Sequence, residues 1–225
     1  MSCPEGLDAG FGTVSAVQRA ICYIRSDFGS DTTGHGLYRL GTGLLIATSD
    51  TASSVLTAAH VLYSNEVGRA ARKVELWFAC YGQSYQADRI AHSIRFPDAF
   101  AGSDDDAAHD FGLAIIDRLD PSTFAPVAIS TSRAAPHPVR IVGYPSEDSC
   151  AGTRQPYHAD LTAVPAGDNW TYDQLTYEGM SGGPLLASDG EDGPFSYGIH
   201  IRAASDVVQA MRFSDAVVSR LEQWL

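Results

Sequence analysis

The chain has 225 residues, enough for one large globular unit or two small ones, and its 44% hydrophobic against 19% charged residues suits a packed core rather than a disordered polymer. Its net charge of −12 repels nucleic acid and anionic membrane surfaces, so neither is an expected partner. No apolar run reaches the roughly 18 residues of a membrane-spanning helix, so membrane insertion is not expected either.

In chain order, Met1–Gly12 carries no basic region and no apolar run, so no targeting segment is read there. A secreted location with its signal removed is preferred over a cytoplasmic one. The four cysteines, Cys3, Cys22, Cys80 and Cys150, lie too far apart for a zinc knuckle or a redox pair, so no metal and no cofactor are expected. They allow three disulfide pairings, or none in a reducing compartment.

Runs rich in Val, Ile, Leu and Tyr then recur at short spacing. They are Ala20–Arg25, Gly43–Thr48, Ser54–Ala58, Lys73–Ala79, Gly112–Ile116, Val139–Val142, Gly183–Ala187 and Tyr197–Ile201, with turn residues at Gly29–Gly36 and Ser188–Pro194. The pattern predicts an all-β barrel or sandwich rather than alternating βαβ units. Pro97–Asp110, with Asp104, Asp105 and Asp106, reads as a solvated acidic loop. One helix is expected at the end of the chain, capped by Ser214 and patterned by Val217, Val218, Leu221, Trp224 and Leu225.

Three segments carry the chemistry. Gly179-Met180-Ser181-Gly182-Gly183-Pro184 surrounds a serine with glycines, which permit a tight turn and clear the path for a substrate. The amides of Gly179 and Ser181 are the candidate oxyanion donors. Leu56-Thr57-Ala58-Ala59-His60 offers a histidine, a base suited to neutral pH, beside two small residues. His109-Asp110-Phe111-Gly112-Leu113 sets one carboxylate at the head of an apolar strand, where it can be held rigidly and shielded. Asp106 sits in the expected loop and Asp117 at the far end of the strand, and both suit that task less well. His60, Asp110 and Ser181 occur in one of the known orders of a catalytic triad, the order found in the chymotrypsin-like fold.

On these residues the chain resembles the chymotrypsin-like serine proteases and, within them, the bacterial glutamyl endopeptidases. Val142-Gly143-Tyr144-Pro145 looks like that family's turn into the second barrel, and Tyr172-Asp173-Gln174-Leu175-Thr176 precedes Glu178-Gly179-Met180-Ser181 at the family's spacing. Gly198-Ile199-His200 looks like its strand along the primary specificity pocket. The resemblance spans residues 20 to 225. It implies two antiparallel six-stranded β-barrels with a C-terminal α-helix, the first at about 13–125 with His60 and Asp110, the second at about 126–225 with Ser181.

The implied function is a serine endopeptidase acting on protein or peptide substrates through an acyl-enzyme, as a monomer, with a preference for Glu or Asp before the scissile bond. Thr176 and His200 are the implied substrate-binding residues, and Arg202 could add positive charge beside them. A protonated His200 would make cleavage fall at alkaline pH while His60 limits it at acid pH. Two alternatives stand: a heat-shock-type serine protease of broad apolar specificity, which Leu175 would favour, and an inactive double-barrel binding protein, against which the intact triad argues. Met180 stands where proteases activated through a new N-terminus carry an aspartate, so that activation is not expected. No cysteine follows His60, and Glu178 at the pocket rim has no assigned role.

Overall fold

The computed structural model describes residues 8–9, 16–31, 33–103, 106–131, 135–146, 154–174, 176–187, 195–204 and 207–225. Cys3, Cys150, Asp104, Asp105, Leu175 and the turn Ser188–Pro194 lie outside the described residues.

The first sheet is built from β1 (Ile21–Ser30), β2 (Gly36–Thr48), β3 (Ala52–Thr57), β4 (Lys73–Phe78), β5 (Ala87–Ile90), β6 (Ser93–Arg95) and β7 (Gly112–Asp117). Their order is β5-β4-β1-β2-β3-β7-β6, and every described pairing is antiparallel. A helical turn, α1 (Ala59–Leu62), follows β3. The second sheet contains β8 (His137–Gly143), β9 (Tyr157–Ala166), β10 (Asn169–Tyr172), β11 (Pro184–Ala187), β12 (Phe195–Ala204) and β13 (Val207–Arg212). Its order runs β9-β8-β11-β12-β13-β10, and β10 pairs back onto β9, so these six strands close into a barrel. The chain ends in α2 (Asp215–Trp224).

The expected pair of six-stranded barrels is thus one closed barrel and one curled half-barrel sheet. The first sheet stops short of a continuous ladder because β5 and β6 are two short halves of one bent segment. Ala91 N–H donates to Val74 O on one edge at 2.9 Å, and His92 N–H donates to Ile115 O on the other at 3.0 Å. The chain bridges the seam at this corner, which protects both edges from pairing with another molecule.

Two apolar clusters hold the sheets. One fills the closed barrel with Val139, Ile141, Trp170, Met180, Leu185 and Tyr197. The larger begins inside the first sheet with Ile24, Leu44, Val55, Leu76 and Leu113 and continues through Val142, Tyr144, Ile199, Phe213 and Leu221 of the second half. Fully burying each of these large side chains contributes about 1.5–3 kcal/mol of apolar transfer free energy. α2 follows the expected pattern: Ser214 Oγ accepts from Val217 N–H at 3.4 Å, and Val217 and Leu221 are buried. Leu225, read as part of the apolar stripe, lies beyond the helix end and is 57% exposed.

Cys22 and Cys80 are free thiols with no exposed surface. Burial pushes both thiols up from their ordinary pKa and so disfavours the reactive thiolate. Peptide mapping after iodoacetamide treatment of the folded protein should find both unmodified, with alkylation only after unfolding. Modification of either at the rate of an exposed thiol would contradict this packing.

Candidate active site

Antiparallel register brings His60 to Asp110. β3 and β7 pair with Thr57 opposite Gly112, so the residues after Thr57 and those before Gly112 leave the ladder at the same end. There Asp110 Oδ2 accepts from His60 Nδ1 at 2.7 Å, and Oδ1 accepts from the His60 backbone N–H at 2.9 Å. Asp110 is only 8% exposed, so both bonds are made in partial shelter from water. Arg39 of β2 donates to the His60 carbonyl oxygen at 2.9 Å. The histidine is therefore held at its amide, its carbonyl and its ring. Ala58 and Ala59 beside it are fully buried.

Asp106 and Asp117 are not in this arrangement. Asp106 pairs with His109 Nδ1 at 2.6 Å, and the side chain of Asp117 is 89% exposed at the end of β7. The stretch expected as a solvated loop is more ordered than its composition indicates. It contains helical turns at Asp98–Phe100 and Ala107–His109, and Phe100 is buried.

The turn carrying Ser181 is fixed almost entirely through its backbone. Glu178 O accepts from Ser146 N–H at 2.7 Å, Met180 O from Gly183 N–H at 2.8 Å, and Ser181 O from Thr42 N–H at 2.8 Å. Gly182 N–H donates to His200 O and His200 N–H to Gly183 O, both at 2.7 Å. Gly179 and Gly182 adopt φ of 87° and 84°, the left-handed region that favours glycine. A Cβ on Gly182 would strike Thr42 O and Thr57 Oγ1, so this close approach admits no larger residue. Among the described residues, the amides of Gly179 and Ser181 meet no acceptor, whereas those of Met180, Gly182 and Gly183 do. Met180 is fully buried in the barrel core and anchors the turn from beneath.

The first-sheet residues around His60 lie against this turn: a Cβ on Gly41 would meet Ser181 O at 3.2 Å and the side chain of Val61, the residue after His60. Among the described residues no hydrogen bond joins Ser181 Oγ to the histidine ring. A recess of about 220 Å³ lies between His60, Asp106, Asp110 and Phe100 on one side and Ile201 and Arg202 on the other.

His200 is 2% exposed, and its Nδ1 lies 2.7 Å from the Tyr172 hydroxyl. Burial, reinforced by His60, lowers its pKa to about 3, with the Gln209 carbonyl opposing. The ring is therefore neutral at ordinary pH, and burial keeps the Tyr172 hydroxyl protonated. Thr176 Oγ1 is buried without a hydrogen-bond partner among the described residues. Simple strand alternation puts Arg202 on the same face as His200, but the β12–β13 ladder shifts register between the two, and Arg202 lines the recess beside His60. Val142-Gly143-Tyr144-Pro145 likewise differs from its expected place: it ends β8 rather than leading into the barrel. Its tyrosine docks in the first sheet, where the ring packs edge-on against Tyr23 and the hydroxyl accepts from Cys80 N–H at 3.3 Å.

The family model described as trypsin-like peptidase domain matches residues 41–191. No curated protein sequence matches the chain. Among solved structures, a Glu endopeptidase in complex with MPD superposes with a TM-score of 0.81 at 18% identity, over 98% of this chain and 97% of that one. The protease Anisep from Arthrobacter nicotinovorans gives 0.74 at 15% identity, over 91% and 94%. The thermostable serine protease AL20 from an extremophilic microorganism gives 0.73 at 17% identity, over 93% and 98%. At these identities the structural likenesses establish the fold, and the family match, which spans more than half of the sequence, establishes descent: the chain belongs to the trypsin-like peptidase domain family and is a serine endopeptidase.

Proposed function

We propose that catalysis runs through Ser181, His60 and Asp110 by way of an acyl-enzyme, and that the enzyme cleaves after acidic residues, glutamate above aspartate. The observation that carries the catalytic reading is the double grip of Asp110 on His60, beside a turn in which, from Gly179 to Gly183, the amides of Gly179 and Ser181 are the ones without an acceptor among the described residues.

The steps follow from that arrangement. Ser181 Oγ attacks the scissile carbonyl carbon, and His60 Nε2 takes its proton. Asp110 holds Nδ1–H and stabilises the imidazolium that forms. The carbonyl oxygen becomes an oxyanion that accepts from Gly179 N–H and Ser181 N–H. His60 then returns the proton to the leaving amine as the C–N bond breaks. Water attacks the acyl-enzyme by the same route, with His60 again the base. The Ser181–His60 hydrogen bond forms when substrate arrives, as free enzymes often leave this contact long.

For specificity, an incoming carboxylate gives Thr176 Oγ1 the acceptor it lacks. His200 supplies a second donor. With the Tyr172 O–H donating to Nδ1, the ring proton resides on Nε2, where a substrate carboxylate would compete with the Gln209 carbonyl for it. Because His200 is neutral, the alkaline fall in activity expected from a protonated His200 is withdrawn. Arg202, placed by the bulge beside His60, would meet substrate at that recess rather than beside His200.

Replacing Ser181 by Ala should lower kcat by about 10⁴- to 10⁶-fold with the fold intact. Asp110→Asn should cost about 10⁴-fold, because the ring would be held in the wrong tautomer. Asp106→Asn and Asp117→Asn should stay within a few-fold. Steady-state kinetics checks the set, and damage from Asp106→Asn comparable to that from Asp110→Asn would refute the triad assignment.

Mass-spectrometric profiling of a peptide library should show glutamate dominating before the scissile bond. His200→Ala should erase that preference while a small fluorophosphonate still labels Ser181 at nearly the original rate. A profile led by Lys, Arg or large apolar residues would exclude acidic specificity and leave the triad standing. For the wild type, kcat/KM on a glutamyl peptide should show no alkaline limb arising from His200.

The buried imidazole also makes stability fall with acid. Its folded pKa of about 3 lies below the 6.5 of a free histidine, so the unfolded chain binds the proton more readily. The His200 contribution is complete above pH 6.5 and is lost as pH falls toward 3, at no more than about 1.4 kcal/mol per pH unit. Urea melts across that range should show a shallower loss for His200→Gln than for the wild type.

A further inference from the structure

Thr42 has no exposed surface, yet every polar group it owns is engaged at the junction of the two sheets. Its hydroxyl donates to Gly179 O at 2.9 Å and accepts from Tyr144 N–H at 3.0 Å. Its N–H donates to Ser181 O at 2.8 Å, and its carbonyl accepts from Thr57 Oγ1 at 2.7 Å. One residue of β2 thus holds the carbonyls of the two residues whose amides are unpaired.

We infer that the Thr42 hydroxyl is a positioning group for the oxyanion-binding amides of Gly179 and Ser181. The inference rests on the proposed role of those amides. The peptide planes of the turn show why one hydroxyl matters. In a trans peptide the C=O and N–H point in opposite directions. Ser146 N–H on Glu178 O therefore aims the Gly179 N–H the other way, and Gly183 N–H on Met180 O does the same for Ser181 N–H. Between these planes lies the Gly179–Met180 peptide. Its N–H donates to Tyr177 O at 3.1 Å, and its oxygen is held by Thr42. Gly179 has no Cβ to restrain it and sits at φ 87°. Once the hydroxyl is gone, the side-chain grip on this glycine is lost and the amide before it can turn away from the oxyanion. The threonine methyl helps, because β-branching restricts χ1 and so keeps the hydroxyl aimed.

Thr42→Val keeps the shape and removes the hydroxyl. With the peptide cleaved fastest in library profiling, kcat per titrated active site should fall about 10- to 100-fold, somewhat less than deletion of an oxyanion donor, while KM stays within about 3-fold. Affinity for a peptidyl boronate, which mimics the tetrahedral intermediate, should fall in step with kcat. Thr42→Ser should restore kcat to within about 3-fold. Wild-type kcat in Thr42→Val, or equal damage from Thr42→Ser, overturns the inference. So does a loss confined to thermal stability with kcat unchanged, since that is the signature of a purely structural residue. If Thr42→Val does not fold, Thr42→Ser decides alone: near-wild-type kcat supports the role and a drop of about 10-fold or more rejects it. Fluorophosphonate labelling mapped to Ser181 in the wild type tests the underlying reading separately. Absence of that adduct rejects the nucleophile, and the Thr42 role with it. An intact adduct with unchanged Thr42→Val kinetics rejects the Thr42 role alone.

Discussion

A carboxylate that is 8% exposed needs strong donors, because burying an unpaired charge costs several kcal/mol. Asp110 satisfies that need with one residue, giving one oxygen to the backbone of His60 and the other to its ring. The arrangement depends on the β3–β7 register. A slip of one residue would exchange the two faces of the strand and take Leu113 on one face and Ile116 on the other out of the positions in which each is fully buried. The register is therefore enforced by apolar burial far from the site, and the geometry of the histidine follows from it. Gly112 completes the corner, since a Cβ there would meet Arg95 O at 2.6 Å and Leu62 at 2.9 Å.

The serine turn obeys a different economy. Its side chains contribute little to its shape, apart from Met180, which is driven into the barrel core. Its shape comes from backbone hydrogen bonds to Ser146, His200 and Thr42, which belong to both sheets. Such bonds orient peptide planes, and peptide planes are what an oxyanion meets. The larger apolar cluster runs through both sheets without a break, so the turn and the histidine share one rigid support. Tyr144 joins them from the second half: its N–H is spent on Thr42 Oγ1 and its hydroxyl on the backbone of Cys80.

Much of this was legible in the sequence, for identifiable reasons. All eight strands expected from apolar runs are present, because dense Val, Ile and Leu mark segments buried on at least one face. Two of the strands that escaped reading lack that density. β9 (Tyr157–Ala166) interleaves Tyr157, Ala159 and Ala163 with polar residues, and β5 (Ala87–Ile90) is a short edge with Ile90 more than half exposed. Asp110 could be told from Asp106 because only Asp110 heads an apolar strand. The Asp106–His109 pair was not foreseen, since composition alone makes an acidic run look solvated. Nor was the partnership of Tyr172 with His200, which joins residues 28 apart across the intervening strand β13. Arg202 was misplaced for a sharper reason: alternation assumes a regular ladder, and a single register shift cancels it. Thr42 gave no signal beyond lying between two glycines, because the groups it joins are assembled only when the two halves meet.

The neutrality of His200 removes a tension that the sequence alone left open. With a net charge of −12, the protein repels an acidic substrate at long range, and a buried cation would be one way to compensate. Holding an imidazolium in that position would cost more than its attraction returns, which is why burial drives the pKa down to about 3. On the proposed reading, recognition falls instead to neutral donors, the His200 N–H and the Thr176 hydroxyl. The Thr176 hydroxyl has no acceptor while the pocket is empty, and both donors gain charge-assisted hydrogen bonds when a carboxylate arrives. Screening limits the repulsion to about 8 Å at physiological salt, whereas these bonds act at contact. Discrimination then rests on what a rival side chain leaves unmade: the Thr176 hydroxyl is already shut away from water without an acceptor, a carboxylate supplies one, and an apolar side chain leaves that costly defect in place.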